Sequence, residues 1–257
     1  MGSSTISLGL GLGGGKSATS SGTPGGGTPF ANQYSVSFDG TDDYVLMNSS
    51  YDLGTLSLWF KSDSVINKGS GPKALVGFTG VSTWASYAGI QTGNVAGAVT
   101  DELITIYTGD WAYAYTSSTS SIDTNWHHLA VRWTGSDYHI YLDGVQVKNA
   151  DGQVVGDQSK AKIPISSFDV GIRAGSSRAY DGLIDEVAIW STPLSASDTA
   201  ALYNLGSPTD LTSLSPNGWW RMGDNDGGTG TTITDQGSGS NNGTLTNGPT
   251  FSTTVPS

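Results

Sequence analysis

The sequence predicts an all-β protein built as an antiparallel β-sandwich. Residues 126–133 and 138–142 place alternate side chains on two different faces, which is the period-two pattern of β-strands. Asp143-Gly144 follows the second strand, and this pair favours a tight hairpin turn because both central positions of such a turn need positive φ. The 37 glycines among 257 residues are typical of many short strands joined by turns.

Five further strands are predicted where short β-prone segments lie between Gly- and Ser-rich turns. They cover residues 74–78, 88–91, 103–108, 112–115 and 168–172. Long Val/Ile/Leu runs are missing, which favours antiparallel sheets with one solvated face over a buried parallel sheet. One helix is predicted at residues 195–205, with Ser195 as its N-cap, Asp198 three residues later and Gly206 beyond its last turn.

Composition excludes several classes of protein. The formal net charge is −11 with only 11 Lys and Arg, so a basic face for nucleic acid is not expected. No apolar run is long enough to predict a transmembrane helix. The chain has no cysteine, so no disulfide supports the fold. The N-terminus lacks a basic stretch before its leucines, and a secretory signal peptide is therefore not expected.

Residues 1–29 are predicted to form a Gly/Ser-rich arm ahead of a sandwich domain at residues 30–257. The arm has too few apolar side chains to fold alone. One interpretation is a flexible linker. The other is an anchor that adds as a strand to a partner's sheet edge. Its partner-anchoring residues would be the alternating apolar side chains Ile6, Leu8, Leu10 and Leu12.

Four motifs along the chain resemble those of one family. They are F-D-G-T-D-D-Y-V at residues 38–45, L-S-L-W-F-K at 56–61, W-H-H-L-A with Y-L-D-G-V at 126–145, and G-L-I-D-E-V-A-I-W at 182–190. In this order they resemble the laminin-G-like, concanavalin A-like lectin–glucanase jelly-roll family. The resemblance implies a concanavalin A-like jelly roll.

The C-terminal segment resembles a further element of that family. Residues 218–249 are similar to a W-x-[LM]-[DG] motif followed by a glycine- and asparagine-rich turn, which in many relatives precedes the F-D-G strand. Here it comes last, as in a circular permutation, and chain ends that lie close together make such a rearrangement possible. Residues 207–257 are therefore predicted to be a permuted element that completes the sandwich.

The same sandwich hosts glucanases, so a glycoside hydrolase was the first enzyme class to test. Such enzymes need two carboxylates on one face, roughly 5–9 Å apart. Asp185 and Glu186 are neighbours on one predicted strand and would point to opposite faces. The E-x-D-x-x-E pattern of sandwich glucanases is also absent. The sequence therefore predicts a protein that is not an enzyme.

Calcium is the one cofactor that the resemblance implies. Hard cations bind several oxygen ligands, and relatives often place calcium near the loop after the first strand and the acidic closing strand. The expected carboxylate ligands are Asp39, Asp42, Asp43 and Asp185. The loop at residues 224–227, D-N-D-G, is a second possible calcium site, although it lacks the glycine spacing and the distal glutamate of an EF-hand. The alternative is that these acidic side chains cap turns and face solvent.

Aromatic residues supply candidate glycan contacts. Sugar rings stack their apolar faces on exposed aromatic side chains, while neighbouring polar groups bind the hydroxyls. Trp111, Tyr113 and Tyr115 alternate along one predicted strand, and Trp84 and Tyr87 lie in another Gly/Ser-rich stretch. Such a stripe packs more often into a core than against a ligand, and both interpretations stay open.

The function predicted from these features is that of a structural protein of a tailed-bacteriophage virion. It would decorate the capsid or form a tail appendage, with a lectin-like domain for host surface glycans. Such a protein is made in the host cytoplasm, contacts other virion proteins through its arm, and forms a homo-oligomer in the assembly. The alternative is a carbohydrate-binding or adhesion module of a bacterial surface or secreted protein. A purely structural role without any ligand also stays open.

Overall fold

The computed structural model describes residues 30–67, 70–79, 89–93, 103–107, 113–114, 121–135, 137–147, 164–172 and 178–257. The first ten strands are β1 (Ser35–Asp39), β2 (Tyr44–Met47), β3 (Tyr51–Asp52), β4 (Thr55–Ser62), β5 (Ile66–Asn67), β6 (Lys73–Thr79), β7 (Gly89–Thr92), β8 (Ile104–Tyr107), β9 (Tyr113–Ala114) and β10 (Ser121–Ile122). The next ten are β11 (His127–Trp133), β12 (Tyr138–Leu142), β13 (Val145–Gln146), β14 (Pro164–Ile165), β15 (Ser167–Val170), β16 (Asp181–Trp190), β17 (Gly218–Trp220), β18 (Thr232–Ile233), β19 (Gly243–Thr246) and β20 (Thr250–Ser252).

Two large antiparallel sheets form the sandwich, which confirms the predicted fold class. Sheet A has the order β13-β12-β11-β4-β16-β1-β20, and β17 pairs with β16 beside this path. Sheet B has the order β18-β19-β2-β15-β6-β7-β8-β9. The C-terminal strands enter both sheets, because β17 and β20 pair in sheet A while β18 and β19 pair in sheet B.

The main core lies between the inner faces of the two sheets. Sheet A contributes alternate residues of β11 and β16, among them Leu129, Val131 and Ile184, and sheet B contributes Phe168 and Val170 of β15. Trp220 of β17 is fully buried in this core. Its ring packs edge-on against Phe168 and Tyr51, with ring centroids 5.4 and 6.1 Å away. The C-terminal segment therefore contributes a large side chain to the common core.

A second apolar layer covers the outer face of sheet A. Helix α1 (Ala196–Ala201) and two 3-10 turns, at Asn204–Gly206 and Thr212–Leu214, lie in the segment that covers it. The layer comprises Ala130, Tyr141, Ala188, Trp190, Leu202, Leu211 and Trp219, with Phe30, Leu194, Ala200 and Leu214 packed against them. Both faces of sheet A are thus buried over this region.

The predicted helix starts as expected and ends earlier. Ser195 caps it, because its Oγ accepts a hydrogen bond of 3.0 Å from the N–H of Asp198. The chain leaves right-handed helical geometry at Asn204 and Leu205, whose φ values are +42° and +59°. Among the described residues, no helix is long and apolar enough to cross a membrane.

The Asp143-Gly144 turn has the predicted geometry, with φ of +51° and +73° at its two central residues. The Asp143 carboxylate accepts hydrogen bonds from the His128 N–H at 2.9 Å and binds the His127 ring nitrogen at 2.8 Å. The other His127 ring nitrogen lies 3.1 Å from Asp123. His127 is therefore clamped between two carboxylates at the end of the hairpin.

The three histidines have different proton affinities. Burial lowers the pKa of His127, but its hydrogen bonds and ion pairs with Asp143 and Asp123 outweigh burial and raise this pKa above 6.5. Burial lowers the pKa of His128 to about 3, and burial together with the Arg132 charge lowers that of His139. Because its folded-state pKa is raised, protonated His127 stabilises the fold below pH 6.5, and this stabilisation is lost as pH rises through the raised pKa.

We predict that proton NMR titration gives the three imidazoles three different pKa values, highest for His127 and lowest for His128. His127 should titrate above 6.5, His139 below 6.5, and His128 should show no titration above pH 5. Substituting Asp123→Asn should lower the pKa of His127, because one of its two carboxylate partners is removed. Equal titration midpoints for His127 and His139 would contradict the two carboxylate contacts of His127. The pKa of His139 should be the same in the variant as in the native protein and is the internal control.

Candidate ligand-binding site

A β-bulge in β16 places two adjacent acidic side chains on one face of sheet A. The pairing of β16 with β4 shifts register between Asp185 and Ala188, and Glu186 has a φ of +48°. Ile184 and Val187 both point into the main core, while Asp185 and Glu186 bind groups of the outer side. The prediction that these two carboxylates point to opposite faces is therefore wrong, because the bulge interrupts strand alternation.

Glu186 is held by two donors from the C-terminal element. Its carboxylate accepts a 2.7 Å hydrogen bond from the Trp219 indole and forms a 2.9 Å ion pair with Arg221 Nε. The glutamate is 3% exposed, so its charge depends on these partners. A second acid, Asp224, binds Arg221 Nη2 at 3.0 Å. We call Asp185, Glu186, Arg221 and Asp224 the acid–arginine network.

This network holds the strap, which we define as residues 30–34. The Asp224 carboxylate accepts hydrogen bonds from the N–H groups of Gln33 and Tyr34, at 2.7 and 3.1 Å. Arg221 Nη2 donates to the carbonyl of Ala31. Asn32 donates from its side-chain amide to Asp185, at 2.9 Å. The segment that leads from the predicted arm into β1 is therefore tied to residues from two distant parts of the chain.

Burial raises the carboxylate pKa values in this network. Asp185 is fully buried, and burial followed by the Glu186 charge raises its pKa well above the usual value. Burial also raises the pKa of Glu186, to about 7, although Arg221 and the Trp219 hydrogen bond oppose this shift. The pKa of Asp224 is raised by burial too. Asp185 therefore keeps its proton to higher pH than an ordinary aspartate does, and Glu186 titrates near neutrality.

A pocket of about 490 Å³ opens above the network, a volume in the range of small-molecule sites. The Phe30 ring lies parallel to Trp219, with centroids 6.2 Å apart, and the Arg221 guanidinium lies 4.1 Å from the Phe30 centroid. The pocket lining consists of Phe30, Ala31, Gln33, Asp210, Thr212, Trp219, Arg221, Asp224, Asn225 and Gln236. Its rim is rich in exposed amide and hydroxyl side chains, which can both donate and accept hydrogen bonds.

The structure brings together three of the four predicted calcium ligands. Carboxylate oxygens of Asp39, Asp42 and Asp43 lie within 4.8 Å of one another. Burial raises the pKa of Asp43, and the charges of Asp39 and Asp42 add to this effect. A hard cation would relieve this repulsion and find the oxygen ligands that it prefers. Calcium binding at these three residues fits the donor set and stays a prediction.

Asp185 does not join that cluster, which corrects the predicted ligand set. Asp39 pairs across the sheet with Asp181, and Asp185 lies four residues further along β16, about 13 Å away at the usual rise per residue. Its carboxylate oxygens accept hydrogen bonds from the Asn32 amide and the Glu186 N–H. Asp185 is an acid of the type that calcium binds, but the strand register keeps it away from the other three carboxylates.

The predicted glycan and anchoring residues are not tested by this structure. Tyr113 belongs to β9, and its side chain is outside the described part of the structure. The other residues lie outside the described parts of the chain, and they are Trp84, Tyr87, Trp111, Tyr115, Ile6, Leu8, Leu10 and Leu12.

Sequence reasoning missed the residues that build the pocket. From the sequence, Trp219 and Arg221 belong only to the C-terminal family motif, Asp224 belongs also to a possible calcium loop, and Phe30 is the first residue of the sandwich domain. The sequence feature that could have indicated this pocket is the W-W-R-M-G-D stretch at residues 219–224, in which one arginine lies between a tryptophan and an aspartate. Nothing local to that stretch indicates Glu186, which is 35 residues away along the chain.

Comparison with known proteins identifies the family and the fold. The family model described as the concanavalin A-like lectin/glucanases superfamily matches residues 39–200. A solved protein from Bacteroides ovatus, provisionally assigned as carbohydrate binding, is 19% identical with a TM-score of 0.60; the alignment covers 89% of this chain and 62% of that one. The chain thus spans under two thirds of that relative's length. No curated protein matches the chain in sequence.

A second solved structure has more limited similarity. Domain 4 of AbnA, an extracellular arabinanase from Geobacillus stearothermophilus solved with arabinotriose, is 18% identical with a TM-score of 0.47. The alignment covers 66% of this chain and 76% of that domain. At 19% identity, the Bacteroides ovatus structure shows a shared fold and no more.

We predict that Glu186→Gln changes the pH dependence of stability. A carboxylate whose pKa is raised on folding costs stability once it ionises, so stability falls as pH rises from about 4.5 through 7. The variant lacks this ionisation, and its melting temperature relative to the native protein should rise between pH 5 and pH 8. Asn48→Ala is an exposed substitution that removes no titrating group, so its difference in melting temperature from the native protein should stay constant across this pH range. A constant difference for Glu186→Gln would contradict the raised pKa.

Proposed function

The chain belongs to the concanavalin A-like lectin/glucanases superfamily, and we propose that it is a non-catalytic carbohydrate-binding domain whose ligand occupies the pocket beside the strap. Membership of the family supports this class of function without selecting a ligand, because the sandwich also hosts enzymes and structural proteins. The proposal therefore depends on the chemistry of the pocket.

One observation carries the proposal. The 490 Å³ pocket combines the edge of a Phe30–Trp219 stack with a rim of amide, hydroxyl and carboxylate groups. Sugars present apolar C–H faces and many hydroxyls, and they need both kinds of surface at once. Gln33, Asn225 and Gln236 are exposed on the rim, where their side chains can contact hydroxyls without first breaking hydrogen bonds in the core.

The buried acids argue against glycoside hydrolysis at this pocket. Although the bulge places Asp185 and Glu186 on the same side, they are 0% and 3% exposed. Both are bound by donors of the same chain. A general acid or nucleophile must reach the scissile bond directly or through one water molecule, and neither side chain is placed to do so. We therefore propose binding without catalysis.

We predict that the double variant Phe30→Ala/Gln236→Ala lowers the affinity for neutral oligosaccharides about tenfold or more. The loss combines one stacking contact and one hydrogen bond, each worth about 1 kcal/mol. Isothermal titration calorimetry with a panel of neutral trisaccharides, including mannotriose, galactotriose and arabinotriose, provides the measurement. Asn48→Ala is the matched control, because this amide is exposed and does not line the pocket.

Two outcomes would count against this site. If the native protein binds none of the panel, the carbohydrate function fails. If it binds but the double variant binds equally well, the ligand lies elsewhere, and Trp84→Ala/Trp111→Ala then tests the aromatic residues that the sequence indicates. The melting temperature of each variant shows whether a loss of binding is merely a loss of folding.

The wider role predicted from the sequence is a second proposal. We propose that the domain is a subunit of a tailed-bacteriophage virion, with residues 1–29 as its anchor to other virion proteins. The support comes from the position of the strap, residues 30–34, which directly follows residues 1–29. Because the strap is hydrogen-bonded to the domain, an arm bound to a partner would be fixed firmly to the fold. The alternative is a carbohydrate-binding module of a bacterial surface or secreted protein.

We predict that protease sites before Phe30 are cut in the isolated protein and protected in the particle from which it co-purifies. A bound arm presents no extended backbone to the protease, whereas a free one does. Limited proteolysis followed by mass spectrometry maps the cuts. Equal cleavage in both preparations would contradict the anchor and favour the surface-module alternative. Cleavage within the strap, which is hydrogen-bonded, should be slow in both samples.

A further inference from the structure

We propose that this pocket selects neutral or amino-bearing glycans and excludes acidic ones, because its one cation is already neutralised by two carboxylates and a third carboxylate stands at the rim. The inference rests on the proposed carbohydrate function and deepens it by naming the ligand class. A guanidinium in a sugar pocket would ordinarily indicate the opposite, a site for a uronate or another acidic sugar.

The positive charge of Arg221 is occupied by groups of its own chain. Nε faces Glu186 at 2.9 Å, and Nη2 faces Asp224 at 3.0 Å and also donates to the Ala31 carbonyl. The side chains of Arg221, Glu186 and Asp224 are 13%, 3% and 4% exposed, so solvent screens these pairs weakly. A ligand carboxylate would have to compete with two protein carboxylates for the same cation.

The rim adds a further negative charge. Asp210 is exposed at the pocket edge, where its carboxylate accepts hydrogen bonds from the N–H and hydroxyl of Thr212. These hydrogen bonds lower the pKa of Asp210, and the Arg221 charge lowers it further. Asp210 is therefore ionised at neutral pH. Among the described residues that line the pocket, Arg221 is the only cation.

The charge balance near the ligand is consequently negative. When Glu186 is ionised, the pocket and its immediate support hold three carboxylates, Glu186, Asp224 and Asp210, and one guanidinium. A like charge brought into this space is repelled, while a neutral hydroxyl or an ammonium group is not. The excess acidity of the chain, 22 Asp and Glu against 11 Lys and Arg, adds to the repulsion at longer range.

Matched trisaccharides test the inference. Mannotriose and trimannuronate, like galactotriose and trigalacturonate, differ mainly in carrying a hydroxymethyl or a carboxylate group on each ring. Calorimetry at pH 8 should give at least about tenfold weaker binding of each uronate than of its neutral partner. Raising the salt concentration from 0.05 to 0.5 M should narrow this difference, since salt screens the repulsion.

The variant Asp210→Asn isolates the charge from the fold. Asparagine can still accept the two Thr212 hydrogen bonds, so the local turn is retained. The variant should lower the ratio of neutral to uronate affinity by about threefold or more relative to the native protein. Asp63→Asn is the matched control, because it removes the same charge from an exposed position outside the pocket.

The outcomes separate this inference from the proposed function. Binding of neutral trisaccharides with equal or tighter binding of uronates overturns the charge selection and leaves the carbohydrate function standing. An equal effect of Asp210→Asn and Asp63→Asn also overturns it, because the exclusion would then reflect overall charge and not the pocket. If no trisaccharide of either kind binds, the carbohydrate function itself fails, and the inference fails with it.

Discussion

The ion pair between Glu186 and Arg221 is the interaction on which the pocket and the strap depend. A bulge in the closing strand turns Glu186 to the outer face, where burial would make its charge prohibitive without a partner. Arg221 supplies that partner from the C-terminal element and also reaches Asp224 and the strap. Removing one charged member of such a set leaves a buried partner without its counter-charge, which lowers stability.

The arrangement also explains why the N-terminal strap follows a defined path. The strap has no regular secondary structure, and Asp224 and Arg221 bind three of its backbone groups, the N–H groups of Gln33 and Tyr34 and the carbonyl of Ala31. Phe30 completes the outer apolar layer by stacking on Trp219. The strap therefore forms one wall of the pocket, and it is also the segment through which residues 1–29 join the domain. A ligand in the pocket and a partner bound to residues 1–29 would thus contact neighbouring parts of the protein.

Much of the fold could be predicted because its signals are local. The alternation of residues 127–133, the Asp143-Gly144 turn and the Ser195 cap each depend on neighbours within a few positions, and the structure confirms all three. The acid cluster in the loop after β1 was also predictable, because Asp39, Asp42 and Asp43 are close in sequence. Asp185 was wrongly added to that cluster, since its position relative to the loop depends on strand register.

Local patterns are sufficient to predict the class of fold, the family and the position of the main hairpin, because side-chain period and turn chemistry act over short distances. The position of the pocket depends instead on contacts between distant parts of the chain. Its two walls, at the strap and at residues 219–224, meet through hydrogen bonds between groups 191 residues apart. Its charge depends on a bulge that reverses the expected direction of Glu186. Neither the bulge nor the long-range pairing leaves a periodic trace in the sequence, because each is selected by packing between strands that the chain brings together only on folding.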